Sequence, residues 1–406
     1  MCSRSMAERA WRVSYRSLSR NFIKASSRCS PRPDRVGPLC QVEERDMLDD
    51  ANRSIRDVRF LDCEEITAAG ADLTTRELLE ATDAAWRDIR LGTSFGGKAV
   101  LSLPEASFWD VESIAPFKRQ FENERLGWKL SCLYSVNDCY GGVKVIGANA
   151  FNRNLGLPRS TSTILLLEKR TLRLLTVLEG TLLSARRTGS YATTVMDLFT
   201  DPADQLSVFL FGTGPTARSV IECLDFRFGQ RIDEIVVRGR SAQGLEALLA
   251  DVRDRTTIPV TPASDNARLP SCRVVITATN ARSPVFDDAD LHPNAVTLHL
   301  GGEEAPEEYL QRALRTGLVV CDDIQTVSRR NSQSLALHFS RRGLLLEQVG
   351  PLIGIRELSR PGRWNVGFDC PVCVTCVGLP MLDLYVAQAS YEKYLANTQN
   401  LPIPSA

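Results

Sequence analysis

The stretch SVFLFGTGPTARSV, residues 207–220, constrains this chain more than any other. Five mostly apolar residues run directly into Gly212, Thr213, Gly214, Pro215, Thr216 and Ala217, and a helical pattern follows. A strand that turns into a helix through Gly-x-Gly-x-x-Ala fits a dinucleotide cradle. Gly212 permits the tight turn, and Gly214 lacks the Cβ that would keep a pyrophosphate off the backbone. Ala217 is small enough for the helix to pack on its sheet. The first turn of that helix offers unpaired N–H groups and a positive dipole end to phosphates. An ordinary glycine turn shares the small residues alone; the strand before and the helix after favour the nucleotide.

The next strand refines the cofactor. IVVRGRS, residues 235–241, places Gly239 where an NAD-selective site carries Asp or Glu for the ribose hydroxyl. Arg238, Arg240 and Ser241 surround it, and a cationic fork with a hydroxyl suits a 2′-phosphate. A solvated basic turn would have the same residues. NADP(H) is therefore favoured, with NAD(H) the alternative. Downstream, VVITATNARSPVF puts Thr277, Thr279 and Asn280 where the loop borders the nicotinamide half.

Around this unit the pattern divides in two. Residues 196–340 alternate strands and helices: strand 207–211, helix 217–228, strand 234–238, helix 242–254, then strands at 257–260, 273–278, 296–300 and 318–321. That alternation predicts a parallel, doubly wound sheet. Residues 56–195 are α+β in character. VRFLD reads as a strand, and Thr74 to Glu77 have helix-opening chemistry before an apolar stripe. Strands follow at 99–103, 130–135 and 143–147, then a hairpin about Lys169, Arg170 and Thr171, and a long helix over 181–199. The apolar tail ends in a strand and a helix, and residues 365–396 are expected to rejoin the first domain. The expected fold class is α/β: a Rossmann dinucleotide-binding domain plus a discontinuous α+β domain for substrate and dimerisation.

Composition removes several function classes. Lys plus Arg and Asp plus Glu are equal at 49 each, and the pI is about 6.8, which gives no electrostatic case for nucleic acid. No apolar run approaches the ~18 residues of a membrane span. The 12 cysteines are scattered over a long chain and do not form a secreted disulfide framework, so a cytoplasmic, reducing setting is expected. Cys370, Cys373 and Cys376 lie in an apolar, β-branched run without further ligands nearby, and the three histidines lack ligand spacing, so no metal is expected. Residues 1–39 hold nine Arg or Lys, two acids and eight serines. That composition suits an organellar targeting peptide or a disordered extension, taken here as residues 1–52.

Two further stretches give the chain a family resemblance. GGVKVIGANAFNRNLGLPRSTSTILLLE (141–168) and VLEGTLLSARRTGSYAT (177–193), in this order before the nucleotide turn, resemble the ornithine cyclodeaminase/mu-crystallin family over about 56–396. The resemblance implies that Lys144 is the catalytic lysine and that Arg187 clamps a substrate carboxylate. It places Lys98 at a second cationic position and Arg159 at a third. The acid that directs water or the substrate amine would be Glu303, with Glu304 next to it; many members have Asp there.

Residue chemistry is consistent with these roles. Oxidising an amino acid at Cα needs cations to hold the carboxylate and a base for the proton. Apolar Val143, Val145 and Ile146 around Lys144 should desolvate it and lower its pKa. On its own, Lys144 would pass for a solvated strand lysine. The segment from VIGANAF and the later VVCDDIQTVSRRNSQ are most similar to siderophore-pathway dehydrogenases. Those oxidise N-(2-amino-2-carboxyethyl)-L-glutamate to 2,3-diaminopropionate and 2-oxoglutarate. The resemblance also leaves open an ornithine cyclodeaminase, a ketimine or pyrroline-2-carboxylate reductase, and a non-catalytic cofactor-binding protein. A homodimer and a small amino-acid or imine substrate are the implied partners.

Overall fold

The computed structural model describes residues 58–362 and 369–398; the amino-terminal extension lies outside them. The described residues belong to one contact unit running from Asp57. They build two sheets.

The amino-terminal part starts with β1 (Arg59–Leu61), α1 (Cys63–Ala68) and α2 (Thr75–Leu91). Thr74 and Glu77 cap α2 reciprocally: the Thr74 hydroxyl accepts from the Glu77 N–H at 3.2 Å, and the Glu77 carboxylate accepts from the Thr74 N–H at 2.7 Å. Gly92, with φ of 72°, ends the helix in the left-handed region. Then come β2 (Phe95–Ser102), α3 (Glu105–Trp109), β3 (Lys129–Val136), β4 (Tyr140–Ala148), β5 (Ser160–Glu168) and β6 (Leu174–Glu179). The sheet order is β1-β6-β5-β4-β3-β2, antiparallel except for β1 on β6.

The expected long helix over 181–199 is two helices, α4 (Thr181–Gly189) and α5 (Tyr191–Phe199), meeting at Ser190. Two causes act there. The Ser190 hydroxyl donates to the Arg187 carbonyl at 2.8 Å, competing with the helix ladder. Gly189 presses on a later helix, Pro215–Phe228, so closely that a Cβ would lie 2.6 Å from the Ser219 carbonyl carbon.

The second sheet contains β7 (Leu206–Phe211), β8 (Ile232–Arg238), β9 (Val260–Pro262), β10 (Val274–Thr277), β11 (Val296–His299), β12 (Leu318–Cys321), β13 (Arg356–Glu357) and β14 (Val372–Thr375). Its helices include α6 (Pro215–Phe228), α7 (Ala242–Val252), α8 (Glu307–Thr316), α9 (Ile324–Arg330), α10 (Ser334–Ser340) and α11 (Leu346–Val349). The order is β13-β12-β14-β11-β10-β7-β8-β9, and every pair is parallel. Apolar clusters cover both faces, as a parallel sheet requires. The strand order reverses between β7 and β10, which opens the crevice beside the Gly212 turn.

The tail departs from the expected division. Of the expected 365–396 segment, the described residues 369–396 do not go to one lobe: β14 inserts into the parallel sheet between β11 and β12, and only the final helix, α12 (Pro380–Thr398), packs on the antiparallel sheet and α2. β14 is Val372, Cys373, Val374 and Thr375, all buried. Such a run can lie in the middle of a sheet, flanked on both edges, without exposing apolar surface. Gly142 lets α12 approach β4, because a Cβ there would sit 2.8 Å from Leu384 Cδ1.

Among the described residues no helix is long and apolar enough to cross a membrane, and no group of three or more His, Cys, Asp or Glu is placed to hold a metal.

Candidate active site

One cleft of about 1800 Å³ runs between the face of the antiparallel sheet and the carboxyl ends of β7, β8 and β10. Strand register decides which side chains enter it. Lys98 pairs with Leu133, Leu133 with Lys144, Ser102 with Lys129, and Lys129 with Ala148. Directly opposed residues share a face, so Lys98, Lys129 and Lys144 all point to the cleft side, and all three line it. α12 covers the far end of the same face.

The nucleotide turn occupies the other wall. Gly212 has φ of 118°, and a Cβ there would meet the Ala278 carbonyl oxygen at 2.5 Å, so only glycine fits. A Cβ at Gly214 would meet nothing within 4 Å, which leaves room for a ligand against the backbone. Gly212, Thr213, Gly214, Pro215 and Thr216 line the cleft; Ala217 is buried against the sheet, the packing role its size suggests. These features suit a nicotinamide dinucleotide. Arg238, Arg240 and Ser241 also line the cleft, each with a partner. Arg238 donates to Asn266, Arg240 pairs with buried Glu124, and Ser241 caps α7 by accepting from the Gly244 N–H at 3.2 Å.

Glu124 belongs to a segment that crosses from the antiparallel sheet to the parallel one. It pairs with Arg153 as well as Arg240. Beside it, the Arg125 N–H donates to the Asn280 carbonyl at 3.3 Å, and the Asn280 side-chain amide donates to the Arg125 carbonyl at 2.6 Å. Arg282 Nε donates to the Phe121 carbonyl at 2.9 Å. These bonds tie the two walls together next to Thr279 and Asn280.

Lys144 is 2% exposed, with Nζ 2.7 Å from Asp383 Oδ2 and 3.0 Å from Ser184 Oγ. Arg187 grips the same carboxylate, Nε to Oδ1 at 2.7 Å and Nη2 to Oδ2 at 3.3 Å. Burial lowers the Lys144 pKa to about 8, with Asp383 opposing that fall and Arg187 adding to it. Burial alone would raise the Asp383 pKa, but Arg187 and Lys144 hold it below the usual carboxylate value. Arg187 stays firmly charged because Asp383 outweighs its burial. Lys144 therefore titrates closer to neutral pH than a free lysine, but not because of Val143 and Val145 as expected: strand alternation turns those two onto the opposite face, and the burial comes from the cleft side.

Asp383 lies on α12 and was not anticipated from the sequence. One signal was available: a lone acid in the apolar helix PMLDLYVAQA must find a cation if it is buried. Its position depends on a second buried acid. Asp322 Oδ2 accepts from the Val377 and Gly378 N–H groups, both at 2.8 Å, and from Tyr191 OH at 3.0 Å. Tyr191 OH in turn accepts from the Leu379 N–H at 3.1 Å. This network fixes the turn from β14 into α12.

The acid loop after β11 behaves differently from the expectation. Glu304 is fully buried and accepts from Thr277 Oγ1 (2.8 Å), Thr279 N and Oγ1 (both 2.6 Å) and Gly301 N (2.8 Å). Glu303 is taken by Arg125 and Arg341, both at 2.5 Å. Neither carboxylate lines the cleft. Four donors hold Glu304 inward and two arginines occupy Glu303, and the acid paired with Lys144 is Asp383 instead. Thr277 is corrected likewise: its hydroxyl serves Glu304 and His299, and it is fully buried behind the cleft wall. Thr279 and Asn280 do reach the cleft.

Lys98 donates to the Val377 carbonyl at 3.3 Å, and Arg159 Nη2 donates to Asn280 Oδ1 at 2.8 Å. Two further cations, Lys129 and Arg330, join them in the cleft wall and were not foreseen. Lys129 becomes visible in GWKLS only once its strand register against Lys98 is known.

Comparison with known proteins gives one consistent grouping. The sequence profile of the Ornithine cyclodeaminase/mu-crystallin family matches residues 117–348. A Delta(1)-pyrroline-2-carboxylate reductase of Bacillus cereus is 22% identical over 268 residues, covering 63% of this chain and 77% of that protein. Among solved structures, an archaeal alanine dehydrogenase dimer with bound NAD aligns with a TM-score of 0.66 at 20% identity, covering 85% of this chain and 98% of that one. The Thermococcus litoralis Delta(1)-pyrroline-2-carboxylate reductase, in complex with NADH and L-proline, aligns with a TM-score of 0.65 at 17% identity, covering 84% and 98%. These structures share the fold.

Proposed function

This chain belongs to the ornithine cyclodeaminase/mu-crystallin family, and on that premise we propose that it is an NAD(P)-dependent oxidoreductase acting on the C–N bond of an amino acid or its imine. The observation that carries this reading is a buried lysine, Lys144, with its pKa lowered to about 8 and its ammonium paired with Asp383, lining the same cleft as the Gly212 turn. A bound nicotinamide would supply the hydride acceptor or donor. The chain's own residues then have distinct work. Arg187 and Lys98 hold the substrate carboxylate so that Cα faces the cofactor wall. Lys144 exchanges a proton with the substrate nitrogen or with the attacking water, and Asp383 sets its charge. Residues 56–195 with α12 provide the substrate side, and 196–340 with β13 and β14 the cofactor side.

In the oxidative direction, hydride leaves Cα and a proton leaves nitrogen, forming the C=N bond. Water adds to that carbon, and the C–N bond breaks to release an amine and an oxo acid. For an N-(2-amino-2-carboxyethyl)-L-glutamate-like substrate the products are 2,3-diaminopropionate and 2-oxoglutarate, a step suited to siderophore or peptide natural-product assembly. A second reading, reduction of a cyclic imine, is favoured by the name of the Bacillus cereus relative. Both are tested by incubating the protein with each nicotinamide cofactor and a panel of these substrates. Turnover of one is expected, with NADP(H) preferred. Arg240→Ala should weaken NADPH more than NADH, since it removes a guanidinium from the 2′-phosphate side. Saturable cofactor binding without turnover of any amino acid or imine would instead make this a binding protein.

The outer face of the antiparallel sheet supports a homodimer. Phe95, Leu101, Leu130, Tyr134 and Val145 share it by register and are 57, 63, 46, 54 and 40% exposed. A contiguous apolar face of this kind is costly in water and marks an association surface. Leu130→Asp with Tyr134→Glu should convert the dimer into a monomer in sedimentation velocity. A wild-type protein that sediments as a monomer would contradict it.

A further inference from the structure

The cleft holds more positive charge than one substrate carboxylate can use. Lys144 and Arg187 share Asp383. Among the described residues, Lys98, Lys129, Arg159 and Arg330 have no ion-pair partner, although all four line the cleft. Their heads are drawn together. Lys98 Nζ and Arg330 Nη1 donate to the same carbonyl, that of Val377, each at 3.3 Å. Arg159 leans over Gly127, where a Cβ would be 3.0 Å from its Nη2, two residues before Lys129. Ser160, next to Arg159, pairs with Ala148, which pairs with Lys129. The Nε atoms of Arg159 and Arg330 are both buried without a hydrogen-bond partner.

Such an arrangement is unfavourable without an anion. Arg330 is the largest influence pushing the Lys129 pKa down, with burial, Lys98 and Arg159 adding to it. Burial lowers Lys98, and Arg330, Lys144 and Arg187 lower it further, with Asp322 opposing them. Like charges held this closely at partial burial repel one another, and a bound anion relieves both the repulsion and the orphaned donors. The cofactor phosphates do not meet this need, since their wall is the Gly212 turn and the amino end of α6.

We infer that Lys129, Arg330 and Arg159 form a second carboxylate subsite beside the Lys144–Arg187 pair, so the substrate is a di- or tricarboxylate. Lys98 lies between the two subsites and serves both. This deepens the oxidoreductase reading by naming the residues that hold a further carboxylate of a substrate of the kind proposed above, and it rests on that reading only for the chemistry at Cα.

The test compares two ligands of equal length, 2-oxoglutarate and 2-oxopentanoate, which differ by one carboxylate in place of a methyl group. Binding is measured by calorimetry on the full chain saturated with cofactor, which keeps the phosphate wall occupied. 2-Oxoglutarate should bind at least about tenfold more tightly. Lys129→Met and Arg330→Met should each shrink that preference to about threefold or less, leaving 2-oxopentanoate within about twofold of wild type. Lys129→Gln, which removes only the charge, should behave as Lys129→Met does and guards against a packing effect. Equal affinity for the two ligands in the wild type would overturn the subsite. So would an equal loss of both in the variants, or tighter binding of inorganic phosphate than of 2-oxoglutarate. Turnover distinguishes the two ideas: a preference for 2-oxoglutarate with no turnover of any amino acid or imine keeps the subsite and rejects the oxidoreductase. Turnover without the preference does the reverse.

Discussion

Asp383→Ala should cost about 3–5 kcal/mol of folding stability, read as a lowered urea midpoint, because it strands two buried cations at once. Asp383 is 2% exposed and carries bonds of 2.7 Å from both Lys144 and Arg187. No other carboxylate is paired with either of them among the described residues. Lys144 would respond by losing its proton at still lower pH. Asp383→Asn keeps the shape without the charge and should fall between. The pair also gives an acid limit to stability. The Asp383 pKa is lower in the folded chain than in the unfolded one, so the stabilisation is complete above the unfolded value of about 4 and is lost as pH falls below it. A variant whose urea midpoint equals that of wild type would mean that the buried triad contributes nothing.

Lys144→Ala should lower turnover by about 10²–10⁴-fold, the usual worth of a positioned proton-transfer group. It leaves Asp383 paired with Arg187, so the fold should survive, and cofactor affinity should stay within about threefold because the nucleotide turn is on the other wall. The pH profile separates a chemical role from a structural one. With a Lys144 pKa of about 8, imine reduction needs the protonated form and should decline as pH rises through that value. Amino-acid oxidation needs the neutral form and should rise over the same range. Stability moves oppositely to the usual lysine case: the unfolded chain binds this proton more tightly, so stability increases with pH between about 8 and the unfolded value of about 10.4. Wild-type activity in Lys144→Ala would remove this lysine from the mechanism.

The parts of the site that were legible share one property, locality. The Gly212 turn is a short motif whose backbone demands are written into consecutive residues, and the φ of 118° at Gly212 meets the expectation. Alternating strand and helix signals were enough for a parallel sheet, because each element carries its own apolar period. Lys144 and Arg187 sit in segments with strong family character. Glu303 and Glu304 show the limit of such reasoning. Both occupy the expected loop, yet hydrogen bonds from Thr277 and Thr279 use up Glu304, ion pairs with Arg125 and Arg341 use up Glu303, and neither lines the cleft.

The sequence by itself determined the fold class, the Gly212 turn and four of the cations that line the cleft, Lys98, Lys144, Arg159 and Arg187. Tertiary structure alone decided which acid meets them. Asp383 is 196 residues from Arg187 along the chain, and it arrives only because β14 inserts between β11 and β12 and Asp322 anchors the turn that follows. The convergence of Lys98, Lys129, Arg159 and Arg330 was hidden for the same reason. Side-chain charge is read from one residue, but its neighbours depend on strand register and on the packing of distant segments. Burial then turns those neighbours into shifted pKa values and anion affinity, and no local pattern encodes burial of that kind.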